Sequence, residues 1–341
     1  GTLTVTENDI DQVLLKSDGI PTYHFAHIID DHFMGTTHVV RGEEWLATLN
    51  IHLQLFRTMG WKAPKYVHTA QLMKMDGGSK RKLSKRKDPE LALDFYNAEG
   101  YPVPSVLEYL MTLLNSNFED WRLANPTAPM GDFQFTTKKM GNSGSLFDID
   151  KLKDVSKNTI SVMSADQVYD EVTAWAKDFD PQLYTLLTAD QQKAKAIFAI
   201  GRGGAKPRKD IAIWSEVKDY VAFFYEELFT AASEYPENVS TQDALDILTQ
   251  YRSLYSPADD GETWFNKVRE LGESLGFAAK PKDYKKNPDQ YKGHVGDVSQ
   301  VIRLAITGRT NSPDLCSVMQ ILGEEVCQQR LAQAIELLSN R

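Results

Sequence analysis

The residues with the most obvious chemical potential are Lys80-Arg81-Lys82-Leu83-Ser84-Lys85-Arg86-Lys87, in which six of eight side chains are cationic. Between positions 74 and 87 there are seven Lys/Arg and one Asp, a local charge of +6 on a chain whose total is −9. Such a concentration of positive charge on an acidic protein suits a concentrated anion such as a polyphosphate. The preceding Lys74-Met75-Asp76-Gly77-Gly78-Ser79 reads as a mobile Gly-rich loop, and Asp88-Pro89 as the opening of a helix. A solvated charge run or a basic localisation tag is the plainer reading. Leu83 and Ser84 speak against it, because a tag has no use for an apolar anchor.

Arg41 is the second candidate. It follows His38-Val39-Val40, which reads as a short strand, and precedes Gly42. A planar guanidinium there suits recognition of a carboxylate or phosphate, the plainer alternative being a surface ion pair with Glu43 or Glu44. His24, His27, Asp30, Asp31 and His32 also cluster. His24, His27 and Asp31 fit one helical face, and two His with a carboxylate can hold zinc or iron. That metal reading is set aside, since the same helix is expected to pack on a sheet and no His-Glu-x-x-His signature occurs.

The elements that would position these groups alternate. Gln12-Val13-Leu14-Leu15 reads as a buried strand ended by Ser17-Asp18-Gly19, and Pro21 as a helix start. An amphipathic helix is expected over 43–59 with Gly60 as its stop, and Tyr66-Val67-His68 as a further strand. This order predicts a parallel sheet with ligands at the carboxyl ends of its strands. From about Asp88 the pattern turns helical: an amphipathic helix over 89–99 ended by Gly100, then an apolar one over 105–114. Residues 115–144 read mostly as loop. Capping boxes are expected at Ser164-x-x-Gln167 and Thr188-x-x-Gln191, and an N-cap with proline at Ser312-Pro313.

Length and composition fit these expectations. The 341 residues suggest two or three domains, with the apolar and charged fractions of an ordinary soluble protein. No apolar run reaches the roughly 18 residues a membrane span requires, so no membrane partner is expected. The N-terminus shows no secretory signal, and Gly1, in place of an initiator Met, reads as a cut point. With only Cys316 and Cys327, a disulfide scaffold or Cys-type zinc site is excluded, which fits a cytoplasmic location.

Four runs together carry a resemblance: residues 15–26 (Leu15-Lys16-Ser17-Asp18-Gly19-Ile20-Pro21-Thr22-Tyr23-His24-Phe25-Ala26), Asp30-Asp31-His32, Val39-Val40-Arg41-Gly42-Glu43-Glu44-Trp45, and Lys82-Leu83-Ser84-Lys85-Arg86-Lys87. In this order they resemble the second half of the catalytic domain of the glutamyl-tRNA synthetases, class I aminoacyl-tRNA synthetases, and weaker similarity continues to the C-terminus. The resemblance implies an α/β part followed by an all-α part. These would be the C-terminal half of a Rossmann-type catalytic domain (1–88), a stem-contact helical region (89–160) and a helical anticodon-binding domain (161–341, with a break near 235–240). It also implies ATP-dependent activation of L-glutamate to glutamyl-adenylate and transfer to the 3′ end of glutamate tRNA, with ATP and Mg2+ as cofactors and a monomeric parent.

Carried over by position, Lys82 and Lys85 resemble the catalytic lysines of the family's mobile loop. Glu44, Met73, Lys82, Ser84, Lys85 and Arg86 would contact ATP, Met73 through its backbone. Tyr23, His27 and Arg41 would line the glutamate pocket, although His27 replaces the family's usual Asn, and Arg208, Lys209 and Arg303 would contact tRNA. Asp76-Gly77-Gly78 would lengthen the loop. The usual Trp-Met-Asn is absent after Leu152. The family's His-x-Gly-His-type motif is not found, so the chain reads as a fragment not expected to form glutamyl-adenylate alone.

Two basic patches in the helical half, Arg202 with Lys206, Arg208 and Lys209, and Lys280 to Lys292 with Tyr284 and Tyr291, suit RNA or a merely solvated surface. Two alternatives stay open: a non-discriminating enzyme that also charges glutamine tRNA, and a tRNA-binding module without catalysis.

Overall fold

A computed structural model describes residues 4–141 and 144–340. It divides into two compact units, Gly1–Asn97 with Val103–Ser156, and Ala98–Pro102 with Lys157–Arg341.

The first unit contains α1 (Tyr23–Phe33), β1 (His38–Gly42), α2 (Leu49–Thr58), β2 (Lys65–Thr69), β3 (Leu72–Asp76), β4 (Ser79–Lys82), most of α3 (Leu93–Glu99), α4 (Val103–Leu114), α5 (Phe118–Ala124) and β5 (Ser145–Leu146). α6 (Ile149–Ser161) follows. β1 and β2 pair in parallel, with Arg41 opposite His68, as the βαβ pattern requires. The helix expected over 43–59 is a 3-10 turn, Glu43–Thr48, leading into α2, and Gly60 ends it at a positive φ of 71°. Ile28 and Phe56 are buried in this unit, as are Tyr109 and Leu152. The Tyr109 hydroxyl accepts the Asp148 N–H at 2.6 Å, so the buried ring keeps its polar end satisfied.

Several expectations are corrected. Gln12-Val13-Leu14-Leu15 is not a buried strand: apart from a bridge between Leu15 and Pro21 it is irregular, and Val13 and Leu15 are exposed. No strand among the described residues pairs along it; instead Thr22 ties it locally, its N–H to Leu14 O and its hydroxyl to Val13 O. Pro21 lies one residue before the Thr22 cap rather than in the helix. The Gly-rich segment 74–79 is not a loop but the turn and flanks of an antiparallel hairpin, β3 with β4. Gly77 and Gly78 both take positive φ, 55° and 86°, the type I′ geometry that suits a two-residue hairpin, so Asp76-Gly77-Gly78 closes a strand pair instead of lengthening a loop. The helix of 89–99 is a 3-10 turn, Pro89–Leu91, followed by the short α3. Within 115–144 the structure inserts α5, where Phe118 and Trp121 pack on Phe133.

The second unit is helical, with α7 (Ala165–Phe179), α8 (Pro181–Ala189), α9 (Gln191–Ala199), α10 (Val217–Val221), α11 (Thr241–Leu254), α12 (Gly261–Ser274), α13 (Pro281–Lys286), α14 (Val295–Thr307), α15 (Leu315–Leu322) and α16 (Glu324–Ser339). One apolar core runs through it, and Val172, Leu183, Leu248 and Val298 are fully buried there. The Ser164–Gln167 capping box is present. Thr188 caps nothing, because α8 runs through it and Asp190 takes the Lys193 N–H instead. Likewise Asp314, not Ser312, caps α15. A carboxylate competes well for those orphan amides and also favours the helix N-terminus electrostatically.

Candidate active site and candidate RNA surface

Arg41 stands near the end of β1, half-buried, and is held by three acceptors. Its Nε donates to His68 Nε2 at 3.1 Å, Nη1 to His52 Nδ1 at 3.0 Å, and Nη2 to the Trp45 carbonyl at 3.2 Å. Its guanidinium also lies over the Tyr66 ring, 4.9 Å from the centroid. Among the described residues no carboxylate lies within ion-pair distance of it, so the ion pair with Glu43 or Glu44 does not form. Those two acids turn to Gln71 instead, Glu43 accepting its N–H at 3.2 Å and Glu44 its side-chain amide at 3.4 Å.

Tyr23 and His27, one turn apart on α1, stack at 5.6 Å, and Tyr23 also packs on Trp45 at 4.6 Å. His27 lies between Asp31, 3.1 Å from its Nδ1, and the Tyr66 hydroxyl, 3.1 Å from its Nε2. His24 turns away to His52 at 3.0 Å. The trio His24, His27 and Asp31 therefore does not converge, and the described residues contain no group of three His, Cys, Asp or Glu able to hold a metal. Burial, with the charge of Arg41 and the neighbouring imidazoles, pushes His52 down to about 3. His27 and His68 are also lowered, chiefly by burial, and the Tyr66 hydroxyl is pushed up to about 12 by the same cause.

The cationic run is sorted by strand alternation. Lys80 and Lys82 are exposed on β4, whereas Arg81 turns to Asp76 and to Asp88. Asp88, almost fully buried, also accepts the Ser84 N–H at 2.8 Å. Ser84 in turn bonds the amides of Lys87 and Asp88 through its carbonyl and that of Arg86 through its hydroxyl. Residues 84–88 are thus a hydrogen-bonded turn, pinned by Leu83, which is 3% exposed. Lys82, Lys85 and Arg86 have no ion-pair partner among the described residues. Lys82 is near enough to Glu44 to help lower its carboxyl, after a hydrogen bond from that residue's own N–H. Met73 pairs with Lys82 across the hairpin, and its carbonyl already accepts the Phe147 N–H at 2.7 Å.

The tRNA candidates lie in the second unit. Arg208 is paired with Asp210 through two hydrogen bonds, at 2.6 and 2.9 Å. Lys209 is exposed and has no ion-pair partner among the described residues. Arg303 is half-buried and donates to Ser312 and to the Pro313 carbonyl. Arg208, Tyr220, Arg309 and Ser312 line a cleft of about 270 Å³. Arg202 is a structural residue, its guanidinium on the carbonyls of Phe198 and Ile160.

Residues 1–154 match the family model described as "tRNA synthetases class I (E and Q), catalytic domain", and residues 176–335 match an anticodon binding domain. The glutamate–tRNA ligase of Acetivibrio thermocellus is 51% identical over 98% of this chain, which spans 61% of that relative. The chain carries a class I tRNA synthetase catalytic domain of the glutamate and glutamine type, followed by an anticodon binding domain. The class I synthetase similarity extends to the Thermus thermophilus glutamate–tRNA ligase, at 32% identity over 95% of the chain and 63% of the relative. A crystal structure of an Elizabethkingia meningosepticum glutamate tRNA ligase in complex with its amino acid superposes with a TM-score of 0.69 at 25% identity, over 96% of this chain and 62% of that one. The chain thus spans about three fifths of the length of the curated relatives it matches. The α/β-then-helical order is that of a class I catalytic domain followed by a helical anticodon-binding domain.

His52, His68 and Asp88 join the candidate site without having been expected there, and Arg81, expected only as one charge of the cationic run, proves to be its anchor. A signal existed for the last two, since Asp76-Gly77-Gly78 between polar strands marks a hairpin, and alternation then turns Arg81 away from Lys82.

Proposed function

We propose that this chain carries the glutamate-gripping and phosphate-neutralising parts of a glutamate–tRNA ligase, together with its tRNA-reading helical domain. The observation that carries the proposal is Arg41: a half-buried cation fixed by neutral acceptors, with no acid of its own among the described residues, and bonded to Trp45 and His52, on which Tyr23 packs. A guanidinium held in this way favours an incoming carboxylate, because the desolvated charge gains an anion that the fold does not supply.

In the reaction, an oxygen of the glutamate α-carboxylate bonds to the α-phosphorus of ATP, and the bond to the bridging oxygen breaks, releasing pyrophosphate. A ribose hydroxyl of the terminal tRNA nucleotide then attacks the acyl carbon and AMP leaves. Tyr23, Arg41 and His27 would bind and orient the amino acid. Glu44 and the Met73 backbone would border the nucleotide, with Ser84 and Arg86 at the turn. Lys82 and Lys85 would neutralise charge that accumulates on the phosphates as the bond breaks. Magnesium would come with the triphosphate, its usual route into such sites, since the described residues offer no cage for it. Lys209, Arg208 and Arg303 would contact the tRNA.

The test is glutamate-dependent ATP–pyrophosphate exchange by the full-length gene product with Lys82 and Lys85 both replaced by alanine. The exchange rate is expected to fall more than about 100-fold while the ATP Kd moves only a few-fold. Undiminished exchange overturns the reading. Gel shifts and charging with glutamate and glutamine tRNA transcripts separate a discriminating ligase, a non-discriminating one and a tRNA-binding module.

A further inference from the structure

Four of the chain's seven histidines gather about Arg41 and His52. Arginine only donates, so each ring nitrogen facing it must carry a lone pair. His68 meets Arg41 Nε through Nε2, which puts its proton on Nδ1. His52 meets Nη1 through Nδ1, which puts its proton on Nε2, facing His24 Nδ1 at 3.0 Å. The two rings therefore hold one guanidinium through opposite tautomers. With the Trp45 carbonyl they occupy three of its five N–H groups and leave one on each terminal nitrogen.

We propose that His52 and His68 are positioning residues for Arg41, clamping it through opposite neutral tautomers so that its two remaining N–H groups are set for a carboxylate ligand, and releasing it when either ring takes up a proton. The identity of that carboxylate as the amino-acid substrate rests on the function proposed above; the clamp itself does not. Protonation would turn an acceptor into a second donor against Arg41 and add a like charge beside it.

The surroundings oppose that step. From α1, Tyr23, His24 and His27 face His52, and the Asp31 carboxylate, with Asp30 more weakly, acts on His27 against the larger effect of burial. From β1 comes Arg41, and from β2 Tyr66 and His68. Burial dominates, so His52 stays neutral throughout the ordinary range, and His68, the more exposed of the two, is the ring that acid reaches first.

Nitrogen-15 NMR of the imidazoles of this chain at about pH 7.5 reads the tautomers directly. Protonated Nδ1 on His68 and protonated Nε2 on His52 are expected; the reverse on either ring overturns the clamp. Calorimetric titration with L-glutamate between about pH 5 and 8, where its carboxylates stay ionised, should show binding that weakens only toward the acid end of that range, since burial lowers His68. His52→Asn and His68→Gln place an amide oxygen where Nδ1 and Nε2 accept, and should hold glutamate within about threefold. His52→Leu and His68→Leu should weaken it about 10- to 100-fold. Equal losses in both sets overturn the proposal. Correct tautomers without glutamate binding uphold the clamp and overturn the amino-acid reading instead.

Discussion

Arg81 grips Asp88 through two parallel hydrogen bonds, Nη1 to Oδ2 at 2.7 Å and Nη2 to Oδ1 at 2.8 Å. The same carboxylate takes the Ser84 N–H, so one buried acid ties down Arg81, just before Lys82, and Ser84, just before Lys85. The hydrogen bonds from Arg81, then that from Ser84, hold the Asp88 carboxyl well below the usual carboxylate range. Its support is therefore fully present above the ordinary aspartate range and is lost only in strong acid. Asp88→Asn keeps the shape but loses the fork, and should lower the pyrophosphate-exchange kcat about 10- to 100-fold with little change in the ATP KM. Arg81→Lys should not rescue it, because an ammonium cannot form the paired contact. An Asp88→Asn enzyme with normal kcat would refute the positioning role.

His52 gives the first unit an acid limit. Its folded pKa of about 3 lies below the unfolded value near 6.5, so between these pH values the unfolded chain binds the extra proton. Stability is fully present above about pH 6.5 and falls as pH drops toward 3. Tm followed by near-UV circular dichroism should fall by about 5 °C or more from pH 7 to pH 5. His52→Asn should flatten that dependence.

Gly308 ends α14 at φ 70°, and a Cβ there would come within 2.0 Å of the Thr230 carbonyl oxygen. Both the left-handed backbone and a backbone obstacle oppose a side chain. Gly308→Ala should destabilise the second unit by about 2–4 kcal/mol in urea unfolding. A loss below about 0.5 kcal/mol would show that the Thr230 segment moves aside freely.

Lys209 and Arg208 should separate in tRNA binding. Lys209→Ala removes an unpaired cation and should reduce the salt slope of binding by about one phosphate contact. Arg208→Ala leaves Asp210 without its partner, so binding should weaken together with thermal stability. Fluorescence anisotropy across a salt series distinguishes the two; equal salt slopes for Lys209→Ala and the parent would remove Lys209 from the contact surface.

The parts legible in the sequence were those in which local chemistry and tertiary packing agree. β1 and β2 are short β-branched or aromatic runs, the Ser164–Gln167 box is self-contained, and Leu83 buries as an apolar residue amid charge should. Gln12-Val13-Leu14-Leu15 misled because an apolar run becomes a strand only where a sheet receives it. Ser312 misled for a different reason: Arg303 engages its hydroxyl, leaving the cap to Asp314. The Arg41 site was only partly legible. His24, Arg41, His52 and His68 come from α1, β1, α2 and β2, and no local pattern announces that they meet.

The hairpin closed by Gly77 and Gly78 has an effect that composition cannot express. Because neighbouring strand residues look in opposite directions, Arg81 is committed to the protein and Lys82 to whatever lies outside it. A permuted sequence that exchanged these two letters would keep every charge, yet it would offer solvent the fork and hand the buried acid a point cation. The arithmetic of the run would be unchanged, and its grammar lost.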